Sequence, residues 1–161
     1  MGSFCYINAM KTVTLTFKIT ILASQRDVFD YVSDWERQSD WIMFTTVKRL
    51  SDATSQEDVN LLAITKFGPI KLVDTMVVTD WHPYDRINIE HTGRLVLGRG
   101  VFSVKEISKN TCEFIWQEIT PVPFGLIGRA GLAIFIPLFR MPFDRSLKKL
   151  KFNIEQSPSV K

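Results

Sequence analysis

Two carboxylates and one imidazole, Asp74, Glu118 and His91, have the side-chain types that acid–base chemistry needs. Each lies in a run of alternating residues, and counting every second position places all three on the apolar side of that run. An unpaired carboxylate is costly in an apolar interior, so we expect pairing, protonation or nearby water, with His91 and Arg99 as candidate partners. A paired acid and imidazole could act as general acid and base in a proton-transfer or cyclisation step. The alternative is that all three are solvated and inert at strand ends.

No other motif indicates a reactive site. His82 and His91 are the only histidines, His82 precedes a proline, and no compact pair of histidine ligands exists. We therefore predict neither a metal nor a cofactor. The stretch GRLVLGRG at residues 93–100 does not match a phosphate-binding loop. Its glycines Gly98 and Gly100 are expected to allow a bend or bulge in a curved sheet.

Composition favours one folded domain. The chain has 161 residues, 45% hydrophobic and 23% charged, without a linker-like run of Ser, Gly or Pro. We assign the domain to residues 11–156, with an extension at 1–10 and a tail at 157–161. The 20 basic and 17 acidic residues give a net charge of +3, too balanced for a nucleic-acid partner. Cys5 and Cys112 form no CxxC pair, which favours a cytoplasmic protein. The oligomeric state is left open.

The pattern predicts seven antiparallel strands. Residues 13–21 alternate as a half-buried strand, and six β-rich runs follow between Thr45 and Pro121. The breaks between these six runs leave no room for a crossover helix. Strand parity groups apolar residues with the ionisable ones: Leu72, Met76 and Val78 with Asp74; Ile87 and Ile89 with His91; Phe114 and Trp116 with Glu118.

Two short helices are predicted after the first strand. Ser24 is a suitable N-cap and Asp27 follows three residues later, which favours a helix through DVFDYVSD at residues 27–34. A second short helical piece is predicted through ERQSDW at residues 36–41.

A long C-terminal helix is predicted from apolar residues at helical spacing between Leu132 and Ile154. Pro137 and Pro142 should kink or restart it. Its start overlaps residues 122–143, VPFGLIGRAGLAIFIPLFRMPF, whose longest uncharged run is ten residues. Such a run gives about 15 Å of helix against a hydrocarbon core of about 30 Å. We therefore interpret the segment as a lid, with a lipid-touching gate as the alternative.

The sequence resembles the polyketide cyclase/dehydratase and lipid-transport family of the START-like, birch-pollen-allergen-like superfamily. The resemblance lies in ASQRDVFDYVSDWERQSDW at residues 23–41, the hairpin from Gly98 to Glu118, and SLKKLK from Ser146. It implies an α+β helix-grip fold: a curved seven-stranded antiparallel sheet, two short helices after strand 1, and a long C-terminal helix. It also implies an apolar cavity between sheet and helix. Some members catalyse cyclisation or aromatisation, and many are binders or carriers.

The leading expectation is binding or carriage of a hydrophobic small molecule that is lipid, polyketide or isoprenoid-like. A cyclase/dehydratase-type lyase or isomerase is the first alternative, with Asp74, His91 and Glu118 as catalytic residues. A membrane-surface lipid-binding module, making transient membrane contact through residues 122–143, is the second. The expected ligand-lining residues are Trp41, Leu72, Met76, His91, Phe102, Trp116, Leu132, Phe135 and Phe139.

Overall fold

The computed structural model describes residues 12–50, 55–121 and 125–156, and over residues 125–139 the description covers the backbone. The predicted extension at 1–10 and tail at 157–161 lie outside the described residues. The strands are β1 Thr12–Ile21, β2 Thr45–Arg49, β3 Asn60–Phe67, β4 Ile70–His82, β5 Arg86–His91, β6 Gly98–Ser108 and β7 Thr111–Pro121. The helices are α1 Gln25–Ser33, a 3₁₀ helix Arg37–Asp40, and α2 Gly125–Gln156.

One antiparallel sheet contains all seven strands, in the order β1-β7-β6-β5-β4-β3-β2. The predicted seven-stranded sheet is therefore confirmed. β2 to β7 pair with their sequence neighbours because their connections are too short for a crossover, and β1 closes the row by pairing with β7. Register shifts interrupt β4 between Val78 and Asp80 and β6 between Glu106 and Ser108. Such bulges increase the local twist of a sheet.

The region between β1 and β2 contains one α-helix and one 3₁₀ helix. Ser24 caps α1 as predicted, because its hydroxyl accepts the Asp27 backbone N–H at 3.1 Å. The second helical piece is shorter than the sequence indicated, since only Arg37–Asp40 is helical, as a 3₁₀ helix. The buried Gln38 side chain donates to the Val32 carbonyl oxygen at 2.9 Å and ties this turn to α1.

α2 is one continuous helix of 32 residues. The helix runs through Pro137 and Pro142 and does not restart at either proline. The buried Ser146 hydroxyl donates to the Pro142 carbonyl oxygen at 2.8 Å and accepts the Met43 backbone N–H at 2.9 Å. This hydroxyl therefore connects α2 to the segment before β2.

The second half of α2 packs along β1. Lys151 Nζ donates to the Thr20 carbonyl oxygen at 2.8 Å, and further along the pair the Phe143 ring stacks on Phe17 at 4.4 Å. Phe17 pairs with Trp116 of β7. From Lys151 back to Phe143, α2 therefore runs towards the end of β7 that contains Glu118. The helix buries Leu147, Leu150 and Ile154 in the core.

Candidate functional site

Asp74, His91 and Glu118 meet in one hydrogen-bonded array on the face of the sheet that packs against the core. His91 Nδ1 lies 2.7 Å from Asp74 Oδ2, and His91 Nε2 lies 3.3 Å from Glu118 Oε2. The His91, Asp74 and Glu118 side chains are 9%, 10% and 19% exposed. We call these three residues the acid–histidine array. Their burial argues against the alternative of three solvated strand-end residues.

The sheet brings these residues together across a gap in its side chains. Asp74 and His91 lie diagonally on the neighbouring strands β4 and β5, since His91 pairs with Met76. Glu118 lies two strands from His91, so the backbones of the two residues are about 10 Å apart at the usual strand spacing. The intervening strand β6 places Gly98 opposite His91 and Gly100 opposite Glu118. Without side chains at these positions, the imidazole and the Glu118 carboxylate can meet above β6.

The backbone and packing show why these glycines are needed. Gly98 has φ +119°, a conformation that side chains disfavour, and a Cβ there would collide with the Ile119 carbonyl oxygen. A Cβ on Gly100 would lie 3.4 Å from Glu118 Oε1. The predicted bulge is absent at these two glycines, since their pairing with β5 continues without a register shift. Their role in the site was not predicted from the sequence. The signal was their parity, because both share a face with Phe102 and Trp116.

Two carboxylates hold His91 in its protonated form. Burial of the ring lowers its pKa, but hydrogen bonds to Asp74 and then Glu118, with the charges of both, raise the pKa from 6.5 to about 9. At neutral pH both ring nitrogens therefore donate, Nδ1 to Asp74 and Nε2 to Glu118. Glu118 also accepts the Trp116 indole N–H at 2.6 Å. The array thus combines a cationic donor with two acceptors.

One atom of the array has no partner. Asp74 Oδ1 is buried and receives no hydrogen bond from any described residue. Gly93, in the loop after β5, lies over this oxygen, since a Cβ there would stand 3.2 Å from it. A buried carboxylate oxygen without a donor carries a desolvation cost. The Trp41 indole N–H is likewise buried without a partner among the described residues.

An aromatic cluster lies beside the array. The Trp41 ring contacts Phe102, Phe114 and Trp116 at centroid distances of 6.2, 6.1 and 5.6 Å, and the Phe143 ring lies 4.6 Å from Trp116. Trp116 links this cluster to Glu118 through its indole N–H. The array therefore borders this aromatic cluster, which consists of Trp41, Phe102, Phe114, Trp116 and Phe143.

The other predicted site residues occupy different positions relative to the aromatic cluster. Trp41 is fully buried inside the cluster, and Phe102 and Trp116 are buried next to it. Leu72 and Met76 are half-buried and share the parity of Asp74. The side chains of Leu132, Phe135 and Phe139 lie outside the described residues. Arg99, considered as a partner for the carboxylates, is exposed at a position of opposite parity.

The remaining candidate groups are separate from the array. His82 Nε2 lies 3.0 Å from Asp80 Oδ1 at an exposed position beyond the β4 bulge. Cys112 is a free thiol whose burial raises its pKa to about 11, which keeps it protonated and unreactive. Within residues 12–50, 55–121 and 125–156, no three His, Cys, Asp or Glu side chains are arranged to hold a metal ion. The helices in this part of the chain also lack an apolar stretch of the length that a membrane span needs.

Comparison with known proteins identifies the fold. No protein-family model and no curated protein matches the chain. A START superfamily protein from Mycobacterium smegmatis has 15% sequence identity and a TM-score of 0.66, and the match covers 89% of this chain and 97% of that one. The chain has the START-like fold.

Aromatase/cyclases share this START-like fold. Zhui aromatase/cyclase from Streptomyces sp. R1128 has 11% identity and a TM-score of 0.75, with 91% of this chain and 95% of that one covered. The di-domain ARO/CYC BexL from the BE-7585A biosynthetic pathway has 17% identity and a TM-score of 0.69 over 94% of this chain. The chain spans about half of BexL, since 52% of that chain is covered. Identities this low establish the fold and leave the activity to the site itself.

Proposed function

We propose that this chain binds an apolar small molecule between the sheet and α2, and that the acid–histidine array binds a polar group of that molecule. The observation that carries the proposal is the buried, unpaired Asp74 Oδ1, in an array whose Glu118 end is hydrogen-bonded to Trp116 of the aromatic cluster. A ligand hydroxyl can donate to this oxygen and remove its desolvation cost. The array would thus fix the orientation of a ligand that apolar contacts retain.

Residues next to the array suit the apolar part of such a ligand. Leu72 and Met76 are half-buried at positions that share the parity of Asp74, and Trp116 is hydrogen-bonded to Glu118. Burying ligand surface here would contribute about 25 cal/mol per Å² of apolar area. The direction of α2, inferred from the contact between Phe143 and Phe17, would bring its first half towards the Glu118 end of β7. The proposal therefore combines an apolar wall with one polar anchor.

A matched pair of probes tests the polar anchor. 2-Naphthol has a flat apolar body and one hydroxyl donor, and 2-methoxynaphthalene has the same body without the donor. If Asp74 Oδ1 takes the donor, we expect 2-naphthol to bind roughly tenfold to a hundredfold more tightly in a calorimetric titration at neutral pH. Asp74→Asn should reduce this preference, because a neutral amide oxygen accepts a weaker hydrogen bond than a carboxylate oxygen.

Asp80→Asn is the matched control for this experiment. Asp80 is a carboxylate in a hydrogen-bonded cluster with Arg86 and Asn88, away from the array, and the substitution makes the same chemical change. It should leave the preference for 2-naphthol intact. Failure of both naphthalenes to bind, together with absence of any apolar molecule in native mass spectra of the purified protein, would contradict the proposal. A hydroxyl preference that Asp74→Asn leaves undiminished would contradict the assigned anchor.

Cyclase/dehydratase-type proton transfer is the second candidate, favoured by the hydrogen bonds from His91 to both carboxylates at 2.7 and 3.3 Å. The resemblance to structures named aromatase/cyclases supports the same class. In a β-hydroxyketone, a carboxylate of the array would take the proton on the carbon next to the carbonyl. As the new C=C bond forms, the C–O bond breaks and His91 protonates the departing hydroxide to give water. His91 then recovers its proton from the protonated carboxylic acid or from solvent.

Dehydration of an aryl β-hydroxyketone tests this second candidate, because the conjugated enone product absorbs in the near ultraviolet. Turnover that His91→Gln and Glu118→Gln both lower, while Asp80→Asn does not, would support catalysis. Turnover that neither array variant changes would be background, and no turnover with any such ketone would leave binding as the activity.

A further inference from the structure

Two neighbouring loops at one end of the sheet expose apolar side chains. The β3–β4 hairpin exposes Phe67 and Ile70, the latter by 67%, and the β5–β6 loop exposes Leu95 by 75% and Leu97 by 51%. Both connections lie at the same end because β3 to β6 are consecutive antiparallel neighbours. Phe44 precedes β2 at that end, with its ring 5.5 Å from Phe67. We call Phe44, Phe67, Ile70, Leu95 and Leu97 the apolar rim.

Phe44, one of the exposed residues of the apolar rim, has a strained backbone conformation. Its φ is +61°, in the left-handed region that non-glycine residues rarely adopt. The Phe44 carbonyl oxygen accepts the Lys66 backbone N–H at 2.9 Å, which fixes this turn to the hairpin. Its side chain is nevertheless 53% exposed, so core packing alone does not account for a phenylalanine here.

The charges beside the apolar rim are basic. Lys66 and Lys71 flank the hairpin tip, Arg94 lies in the second loop, and residues 66–71 and 92–97 contain no Asp or Glu. Lys66 and Lys71 are exposed and directly paired across the two strands. Like charges in this position repel one another and destabilise the hairpin, and a nearby anionic surface would relieve that repulsion.

Strand parity separates the two properties. Phe67 and Ile70 form a cross-strand pair on the face that carries Ala63 and Asp74, and Lys66 and Lys71 form the next pair on the opposite face. The hairpin tip is therefore apolar on the side of the acid–histidine array and cationic on the other. A partner that fits must accept apolar side chains while presenting negative charge around them.

We infer that the apolar rim docks this protein on the surface of an anionic lipid bilayer. The Phe, Leu and Ile side chains would enter the boundary between headgroups and acyl chains, and Lys66, Lys71 and Arg94 would lie among anionic headgroups. The apolar rim contains none of residues 122–143, for which membrane contact was predicted only as an alternative to a lid. It would place the Asp74 face of the sheet next to the lipid, a position suited to exchange of an apolar ligand.

Vesicle flotation tests the docking surface with the full chain. We compare vesicles of phosphatidylcholine with vesicles of equal parts phosphatidylcholine and phosphatidylglycerol at low salt. Binding is expected with the anionic vesicles and should weaken as salt is raised, because salt screens exposed charges. Lys66→Gln combined with Lys71→Gln should weaken partition roughly 25-fold, at about fivefold per lysine. Leu95→Ser combined with Leu97→Ser should weaken it by removing the inserted side chains.

Matched controls make the same changes elsewhere. Lys148→Gln with Lys149→Gln neutralises two exposed lysines of α2, and Ile107→Ser with Phe152→Ser removes two exposed apolar side chains that are 60% and 64% exposed. Both controls should bind vesicles like the unmodified chain, and unfolding midpoints establish that every variant is folded. Equal losses in rim and control variants, or no flotation with either vesicle, would overturn the inference.

Sedimentation without vesicles tests whether the apolar rim binds a second copy of the chain and not a lipid surface. Self-association that the rim variants abolish, in a chain that does not float, would make this surface an interface between copies and would overturn lipid docking. Naphthalene binding in solution needs no membrane, so failure of vesicle binding leaves the proposed function standing. Loss of naphthalene binding in an array variant leaves the docking surface intact.

Discussion

The stability of this protein should decrease as the pH rises through the titration range of His91. Its pKa is raised from 6.5 to about 9 in the folded protein. Below about pH 6.5 the folded and unfolded chains both hold the proton, and the full stabilisation is present. Between the two values the folded chain retains the proton that the unfolded chain releases. The free energy of unfolding therefore declines over this interval, and the contribution is lost above about pH 9.

The size of the decline follows from the same interval. A pKa difference between 6.5 and about 9, at about 1.4 kcal/mol per pH unit, corresponds to about 3 kcal/mol. Solvent screening should reduce this little, because the His91 side chain is 9% exposed. The assay is urea unfolding of the unmodified chain and of His91→Gln at about pH 6 and about pH 9.5. We expect the unmodified chain to lose about 3 kcal/mol more than the variant.

The comparison with His91→Gln isolates the histidine. Burial raises the pKa of the Cys112 thiol to about 11, so Cys112 also lowers stability as the pH rises above the range of an ordinary thiol. Both chains contain Cys112, and its contribution cancels in the difference. An equal decline in the two chains would refute a stabilised His91 cation. Ring NMR provides a direct reading, with an inflection near pH 9 for His91 that Asp74→Asn should move downwards.

Two backbone predictions follow from left-handed residues. Gly98→Ala should lower the free energy of unfolding by about 3 kcal/mol or more, because φ is +119° and the added Cβ would collide with the Ile119 carbonyl oxygen. Gly68→Ala, at φ +56° with open space around it, should lower it by about 1 kcal/mol in the same urea assay. Equal costs would show that β6 adjusts at Gly98. Phe44→Asn should raise the free energy of unfolding by about 0.5 to 1 kcal/mol, since Asn tolerates φ +61° better, while it weakens vesicle binding. A loss of stability would mean that the ring contact with Phe67 outweighs the strain.

Local periodicity was sufficient to predict the strands and their faces. The alternation of apolar and polar residues repeats with the period of an extended chain, so it reports directly which side chains share a face. For this reason strand parity placed Asp74, His91 and Glu118 on one side of the sheet, and the structure places them there. The Ser24 cap was predictable for a similar reason, because the hydrogen bond involves residues three apart.

Periodicity was less informative where competing local and tertiary preferences decide the backbone. Pro137 and Pro142 suggested a kink or restart, and α2 does not restart at either proline. Ser146 joins the Pro142 turn to the backbone before β2. The second helical piece, predicted at residues 36–41, is a shorter 3₁₀ helix, Arg37–Asp40, which the buried Gln38 side chain connects to α1. These outcomes depend on packing partners that are distant in sequence.

The sequence by itself determined which strands form and which side chains face the core, because both depend on residues a few positions apart. The tertiary structure decided which inward-facing groups meet. Register sets His91 diagonally opposite Asp74, and the bare positions at Gly98 and Gly100 let it reach Glu118 across β6. Register joins residues that are far apart along the chain, so parity could place His91 on the same face as both carboxylates but could not show that it contacts them.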